Sequence, residues 1–122
     1  MNFGRLAAVF GLLGVALGAF GAHGLKSKVS AEDLAIFDTA VRYQLWHALA
    51  LFCVALAQRQ QASAWLHRAG LAFVAGIAIF SGTLYVLVLA NLRWMGAITP
   101  IGGVALMLGW LFLAVAFGRP KT

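Results

Sequence analysis

The chain has 122 residues, of which 63% are hydrophobic and 10% are charged, and its mean hydropathy is +0.94. Soluble globular domains carry about a quarter charged residues, so this composition indicates a membrane protein. A membrane span needs about 20 apolar residues, and the length therefore allows four spans with short loops but no separate catalytic domain.

The net charge of +6 comes from nine Lys and Arg residues against three Asp and Glu residues. In a soluble protein this excess would suggest nucleic acid. Here the basic residues occur singly between apolar runs, as expected of residues that anchor helix ends among phospholipid headgroups. We therefore predict a lipid bilayer as the surroundings and no nucleic-acid partner. The single Cys53 lies in an apolar run, which excludes a disulfide framework and a multi-cysteine metal site.

The first apolar run covers residues 6–22 and predicts the first span. A signal peptide is the alternative, but the run is longer than a usual signal-peptide core and the rest of the chain is itself apolar. Glycines at three- and four-residue spacing form one stripe along this helix, namely Gly11, Gly14, Gly18 and Gly21. Such a stripe lets another helix approach closely; we expect packing inside the bundle, with a homodimer face as the alternative.

A helix-start signal precedes the second span. Ser30 and Asp33 have the spacing of a capping box, so a helix should begin at Ala31. If that helix continues unbroken to Gln58 it is about 40 Å long, whereas the hydrocarbon core is about 30 Å thick. We therefore predict an extended second helix that crosses the membrane over residues 43–57 and begins outside the hydrocarbon.

Two further apolar runs predict the third and fourth spans, over residues 69–90 and 101–117. Thr99 and Pro100 have the residue types of an N-cap and a first helical position, so the last helix should begin there. The glycines predicted to pack against helices in these spans are Gly82, Gly102 and Gly103. The predicted fold is an all-α polytopic membrane protein, a single domain built as an antiparallel bundle of four transmembrane helices.

Polar residues converge near one end of this predicted bundle. Antiparallel spans with short connections place both termini on one side of the membrane and the loops after the first and third spans on the other. The polar residues that gather toward the second side are His23, Tyr43, Gln44, His47, Ser81, Tyr85 and Thr99. They have two interpretations: side chains that satisfy one another and fix helix register, or a pocket that binds a small molecule, a lipid or a proton.

Enzymatic interpretations of this cluster lack partners. Catalysis by Ser81 with His47 as its base would need an orienting acid. The chain's acids all lie at or before the first turns of the second helix, and they are Glu32, Asp33 and Asp38. Haem ligation by His23 and His47 is topologically possible, but nothing else marks a haem pocket. We predict no enzymatic activity, no cofactor and no metal.

The basic residues that flank the spans predict the orientation by a margin of one. Those on the side of the termini are Arg5, Arg59, Arg68, Arg119 and Lys121, and those on the other side are Lys26, Lys28, Arg42 and Arg93. The positive-inside rule therefore predicts that both termini are cytoplasmic.

Four motifs in order resemble a known family. They are GAFGAHG at Gly18 to Gly24, YQxxHA at Tyr43 to Ala48, FSGTLY at Phe80 to Tyr85, and TPIGG at Thr99 to Gly103, followed by Gly109 and Trp110. On these residues the chain resembles the small bacterial inner-membrane proteins of the YgdD and YwdK type, a family catalogued as a domain of unknown function. The resemblance covers nearly the whole chain and implies a four-span integral membrane protein with no established activity, substrate or catalytic residue.

We therefore expect a non-enzymatic structural or accessory component of a bacterial inner membrane. Its candidate associations are a membrane-protein partner and a second copy of itself. The alternative is a binder or transporter of a small molecule, a lipid or a proton that uses the polar cluster.

Overall fold

A computed structural model describes residues 1–120, which form helices and turns without a strand. The α-helices are α1 (Phe3–Phe20), α2 (Ala31–Gln60), α3 (Ala64–Gly76), α4 (Gly82–Leu89) and α5 (Thr99–Gly118). The remaining helical turns are a π-helical turn after α1 (Gly21–Leu25), another between α3 and α4 (Ile77–Ser81), and a 3-10 turn before α5 (Arg93–Ala97).

These elements give four continuous helices that are long and apolar enough to cross a membrane. Spans 1 to 4 are Phe3–Leu25, Ala31–Gln60, Ala64–Leu89 and Arg93–Gly118. The predicted all-α fold with four spanning helices is confirmed. Spans 1 and 3 each contain a π-helical turn, which widens the helix locally without interrupting it.

Span 2 begins where the sequence predicts. The backbone N–H of Asp33 donates to Ser30 Oγ at 3.0 Å, and the helix starts at Ala31. It continues for 30 residues, which is about 45 Å at the helical rise, and the extended second helix is confirmed. The Asp33 carboxylate accepts two hydrogen bonds from the Arg93 guanidinium, at 2.8 and 2.6 Å. This ion pair joins the start of span 2 to the start of span 4.

The α-helix of span 4 begins where the sequence predicts, but without the predicted N-cap. Its α-helix begins at Thr99, and the residue before it, Ile98, already has helical backbone angles and makes no side-chain cap. The Thr99 hydroxyl lies 2.7 Å from Thr83 Oγ1 and donates to the Met95 carbonyl at 3.1 Å. The predicted N-cap role of Thr99 is therefore wrong, because the 3-10 turn leads directly into the helix and the hydroxyl bonds back to that turn.

The helices pack mainly with their neighbours in sequence. Span 1 lies against span 2, span 4 lies against span 3, and span 2 lies against span 3 in the middle. The larger apolar core surrounds Leu51 and Phe73. A second core surrounds Phe37, at the end of the bundle that carries the loops after spans 1 and 3. Large apolar side chains also cover the outside of the bundle, as a hydrocarbon solvent allows.

The glycine stripe of span 1 faces span 2 of the same chain. A Cβ atom added to Gly14, Gly18 or Gly21 would lie 2.6 to 3.2 Å from a side-chain carbon of span 2. The side chains concerned are, in the same order, those of Leu45, Val41 and Phe37. These three glycines of the stripe therefore pack inside the bundle, and the part of the face that they form is covered by span 2.

The other predicted packing glycines are less tightly placed. A Cβ atom at Gly11 or Gly82 would meet no other heavy atom within 4 Å. A side chain at either position would therefore have open space around its Cβ atom. A Cβ atom at Gly103 would lie 3.8 Å from the ring of Phe80, an ordinary van der Waals contact.

Spans 3 and 4 approach each other backbone to backbone. A Cβ atom at Gly102 would fall against the backbone of Phe80, 2.7 Å from its Cα, and 2.9 Å from the carbonyl carbon of Ile79. Gly76 gives the reciprocal clearance, because a Cβ atom there would lie 2.9 Å from the backbone nitrogen of Leu106. The crossing therefore depends on a glycine in each helix.

Candidate functional site

His23 is separate from the other predicted site residues. It is exposed, whereas the six others are buried or half-buried. It lies in the π-helical turn two residues after Gly21 and two before Leu25, both of which are buried. Residues two apart point to nearly opposite sides of a helix, so the His23 side chain faces outward. The structure does not bring it to the polar cluster.

Gln44 connects three spans in the interior of the bundle. The residue is 3% exposed, and its Nε2 donates to the Phe10 carbonyl of span 1 at 2.8 Å. Its Oε1 accepts from the Tyr85 hydroxyl of span 3 at 2.5 Å. Gly14 leaves the space for this arrangement, because a Cβ atom there would already lie 3.6 Å from Gln44 Nε2. The amide therefore links spans 1, 2 and 3.

His47 uses both ring nitrogens in hydrogen bonds. Its Nδ1 lies 2.7 Å from the Tyr43 carbonyl, and its Nε2 lies 3.0 Å from Nε1 of Trp110 in span 4. An indole N–H can only donate and a carbonyl can only accept, so this network assigns the proton to Nδ1 and makes Nε2 an acceptor. The imidazole is therefore neutral, with neither nitrogen free for a metal or a substrate proton.

Aromatic rings enclose this imidazole. The Tyr43 ring stacks on it with centroids 5.9 Å apart, and the rings of Phe73 and Trp110 each lie 5.8 Å from it. Phe73 and Trp110 also meet edge to face at 5.3 Å. This apolar wall excludes water from His47 and strengthens its two hydrogen bonds.

The hydroxyl groups near the second π-helical turn make two further links. Ser81 Oγ donates to the Ala40 carbonyl of span 2 at 2.7 Å. Thr83 and Thr99 join spans 3 and 4 through hydroxyl oxygens 2.7 Å apart, where one hydroxyl donates to the other, and each also lies within hydrogen-bond distance of a carbonyl of its own span. The polar residues thus form separate pairs between helices and do not line one shared pocket.

Every buried side-chain nitrogen and oxygen within residues 1–120 has a hydrogen-bond partner. These bonds connect span 2 to each of the other three spans, and span 3 to span 4. An unpaired polar group in hydrocarbon is costly, so rotating one helix against another would break several favourable contacts together. The network therefore fixes the register of the bundle.

The pairs do not assemble a catalytic triad or a metal site in the described part of the chain. Ser81 bonds to a backbone carbonyl and not to His47. Asp33 pairs with Arg93, and Asp38 pairs with Arg42 at 2.8 Å. Both pairs lie at the end of the bundle that carries the loops after spans 1 and 3. Within residues 1–120 no group of three or more His, Cys, Asp or Glu side chains could hold a metal ion.

Two pockets lie away from the polar cluster. The larger, of about 520 Å³, is where α2 ends, α3 begins and α5 ends. The second, of about 320 Å³, lies between the π-helical turn after α1 and the start of α2. None of the seven predicted polar residues lines either pocket.

Trp110 and Thr83 belong to the polar network although the sequence prediction does not include them. Trp110 is well inside an apolar run, away from the interface where tryptophan is usual, and a buried indole N–H needs an acceptor. Thr83 is two residues from Ser81, in a span with few other polar groups. Both signals were present in the sequence, but neither gives the identity of the partner.

Comparison with known proteins gives consistent matches along the chain. Residues 17–103 match the family described as "Protein of unknown function (DUF423)". The chain is 46% identical over 112 residues to the UPF0382 membrane protein YwdK of Bacillus subtilis (strain 168), with 91% of each chain covered. It is 38% identical over 115 residues to the UPF0382 inner membrane protein YgdD of Escherichia coli (strain K12), covering 94% of this chain and 88% of the relative. No solved structure matches it.

Proposed function

The chain belongs to the DUF423 family, whose relatives are named as membrane proteins, and from this premise we propose that it is a non-enzymatic structural or accessory component of a bacterial inner membrane. The observation that supports this proposal is the closed polar network of the interior. Every buried polar side chain of residues 1–120 is used to hold one helix against another or against its own backbone.

A carrier or binding site would need polar groups that face an open space. Instead, the Gln44 amide is hydrogen-bonded to Phe10 and Tyr85. Both ring nitrogens of His47 are hydrogen-bonded, one to Tyr43 and the other to Trp110. A ligand at this position would have to break these bonds and replace each of them in a region of low dielectric. The same bonds hold the helices of a small bundle against one another, and this supports a structural role.

The test is the composition of the protein as purified. The tagged full chain, expressed at its native level, is extracted in mild detergent, and the proteins, lipids and small molecules that accompany it are identified by mass spectrometry. We expect a membrane-protein partner at a fixed stoichiometry. A tagged four-span protein of similar size, purified in parallel, identifies proteins that bind without specificity.

One result would contradict this proposal. In that result the chain purifies without a protein partner and carries one defined small molecule. In addition, a His47→Ala variant still folds but no longer carries that molecule. Such a result would favour a binding or transport role for the polar network.

We also propose that both termini are cytoplasmic. The support is the excess of basic residues at that end, to which Lys121 contributes although it lies outside the described residues. A C-terminal green fluorescent protein should then be fluorescent and a C-terminal alkaline phosphatase inactive. The reverse pair of activities would show that the termini face outward.

A further inference from the structure

The larger pocket opens at the end of the bundle where the chain termini lie. Its apolar wall includes the buried side chains of Leu66 and Ala116 and the exposed side chains of Leu56 and Phe117. Two arginines complete the wall: Arg59 in the last turn of α2 and Arg119 directly after α5. The pocket therefore has an apolar part, formed by helix residues, and a cationic part, formed at the helix ends.

The charge of this pocket is uncompensated by acidic side chains. No Asp or Glu lines it, and the chain's only acids are Glu32, Asp33 and Asp38, which lie at the opposite end of span 2. The salt bridges found within residues 1–120 use Arg42 and Arg93, also at that opposite end. Two arginines thus line one pocket with no acidic residue among its lining.

We propose that this pocket binds one anionic phospholipid, whose phosphate is held by Arg59 and Arg119 and whose acyl chain lies over Leu56 and Phe117. Guanidinium groups bind phosphate oxygens through paired N–H donors, and basic pockets between spanning helices are suited to anionic headgroups. Arg59 and Arg119 are at the ends of spanning helices, which is the depth of the phosphate layer. The site is distinct from the polar network and does not depend on the proposed accessory role.

The apolar part of the wall favours a lipid over free phosphate. Leu56 is 48% exposed and Phe117 is 71% exposed, and both border the same pocket as the arginines. A free phosphate ion would use only the guanidinium groups. A phospholipid would use both parts, because its acyl chain covers the exposed leucine and phenylalanine.

Lipid titration of the purified full chain in detergent, followed by native mass spectrometry, tests this proposal. The probes are dioleoyl phosphatidylglycerol, dioleoyl phosphatidylcholine and inorganic phosphate. We expect one phosphatidylglycerol per chain, bound about tenfold more tightly than phosphatidylcholine, and no saturable binding of phosphate. The Arg59→Gln/Arg119→Gln variant should bind phosphatidylglycerol about tenfold more weakly.

The matched control is Arg5→Gln/Arg68→Gln. It removes the same charge from the same end of the bundle, but neither arginine lines the pocket. Its affinity should stay within about twofold of the unmodified chain, because only the local contacts of the pocket are expected to matter. Equal losses in the two variants would mean that the arginines act only through net charge and would overturn the proposal.

Three other results would also overturn it: equal affinity for the two lipids, phosphate binding as tight as lipid binding, or no bound lipid. A second measurement does not depend on the variants folding. A photoreactive phosphatidylglycerol with its reactive group in the acyl chain should label residues 56–61 and 116–119 of the unmodified chain. Labelling concentrated elsewhere would show that the pocket is not the lipid site.

Discussion

Replacing Gly102 with alanine should destabilise the bundle, whereas the same replacement at the adjacent Gly103 should not. A methyl group at Gly102 would meet the backbone of Phe80, 2.7 Å from its Cα. No side-chain rotation can relieve that contact, so one helix would have to move away from the other. A methyl group at Gly103 would lie 3.8 Å from the ring of Phe80, where there is room for it.

The magnitude follows from two terms. Alanine in place of glycine within a helix stabilises by about 1 kcal/mol, and this term is common to both variants. Overpacking a tight contact costs about 1–3 kcal/mol, and the backbone contact at Gly102 places it at the upper end of that range. We therefore expect Gly102→Ala to lower the free energy of unfolding by about 2 kcal/mol and Gly103→Ala to raise it by up to about 1 kcal/mol.

The free energy of unfolding can be measured by titrating the protein in mild micelles with sodium dodecyl sulfate. The fluorescence of the four tryptophans reports the transition. The comparison between the two variants cancels the helix-propensity term, so the difference of about 3 kcal/mol isolates the helix crossing. Equal stability of the two variants would refute the close backbone approach of spans 3 and 4.

Two further predictions concern links between spans. Trp110→Phe removes the donor to His47 Nε2 and should lower the free energy of unfolding by about 0.6–2 kcal/mol. The same substitution in a His47→Leu background should lower it by less, because the acceptor is already missing. Equal effects in the two backgrounds would contradict the hydrogen bond. Asp33→Cys combined with Arg93→Cys, in a chain without Cys53, should be joined efficiently by a short bis-maleimide. Absence of that link, or equal linking from a cysteine at the opposite end of span 2, would contradict the pairing of these two helix starts.

The sequence predicts the helices well because their signals are local. Long apolar runs define the spans, and Ser30 with Asp33 defines the start of α2, since both signals depend on residues that are neighbours along the chain. The π-helical turns carry no comparable signal. A π-helical turn contains more residues than an α-helical turn, so it shifts which of the following side chains face the interior. The periodicity of the apolar residues does not show this shift.

The partners of the polar residues are harder to predict for a related reason. Which group meets Gln44 or His47 depends on the rotation of each helix about its axis and on its depth, and both are set by packing over the whole bundle. His23 is an example: the topology predicts the end of the bundle at which it lies, but not that its side chain faces outward. Gly76 shows it too, because its clearance for span 4 is a property of the crossing and not of its local sequence.

The distribution of hydrogen bonds has a consequence for how the chain assembles. Spans 1 and 2 form one helical hairpin and spans 3 and 4 form another, each held by close glycine contacts. Most of the polar bonds cross between the two hairpins: Gln44 with Tyr85, Ala40 with Ser81, His47 with Trp110, and Asp33 with Arg93. During synthesis the first hairpin enters the membrane before these partners exist. We therefore expect the hairpins to insert separately and then dock, so that residues 1–62 and 63–122 expressed as two polypeptides should recombine into one bundle.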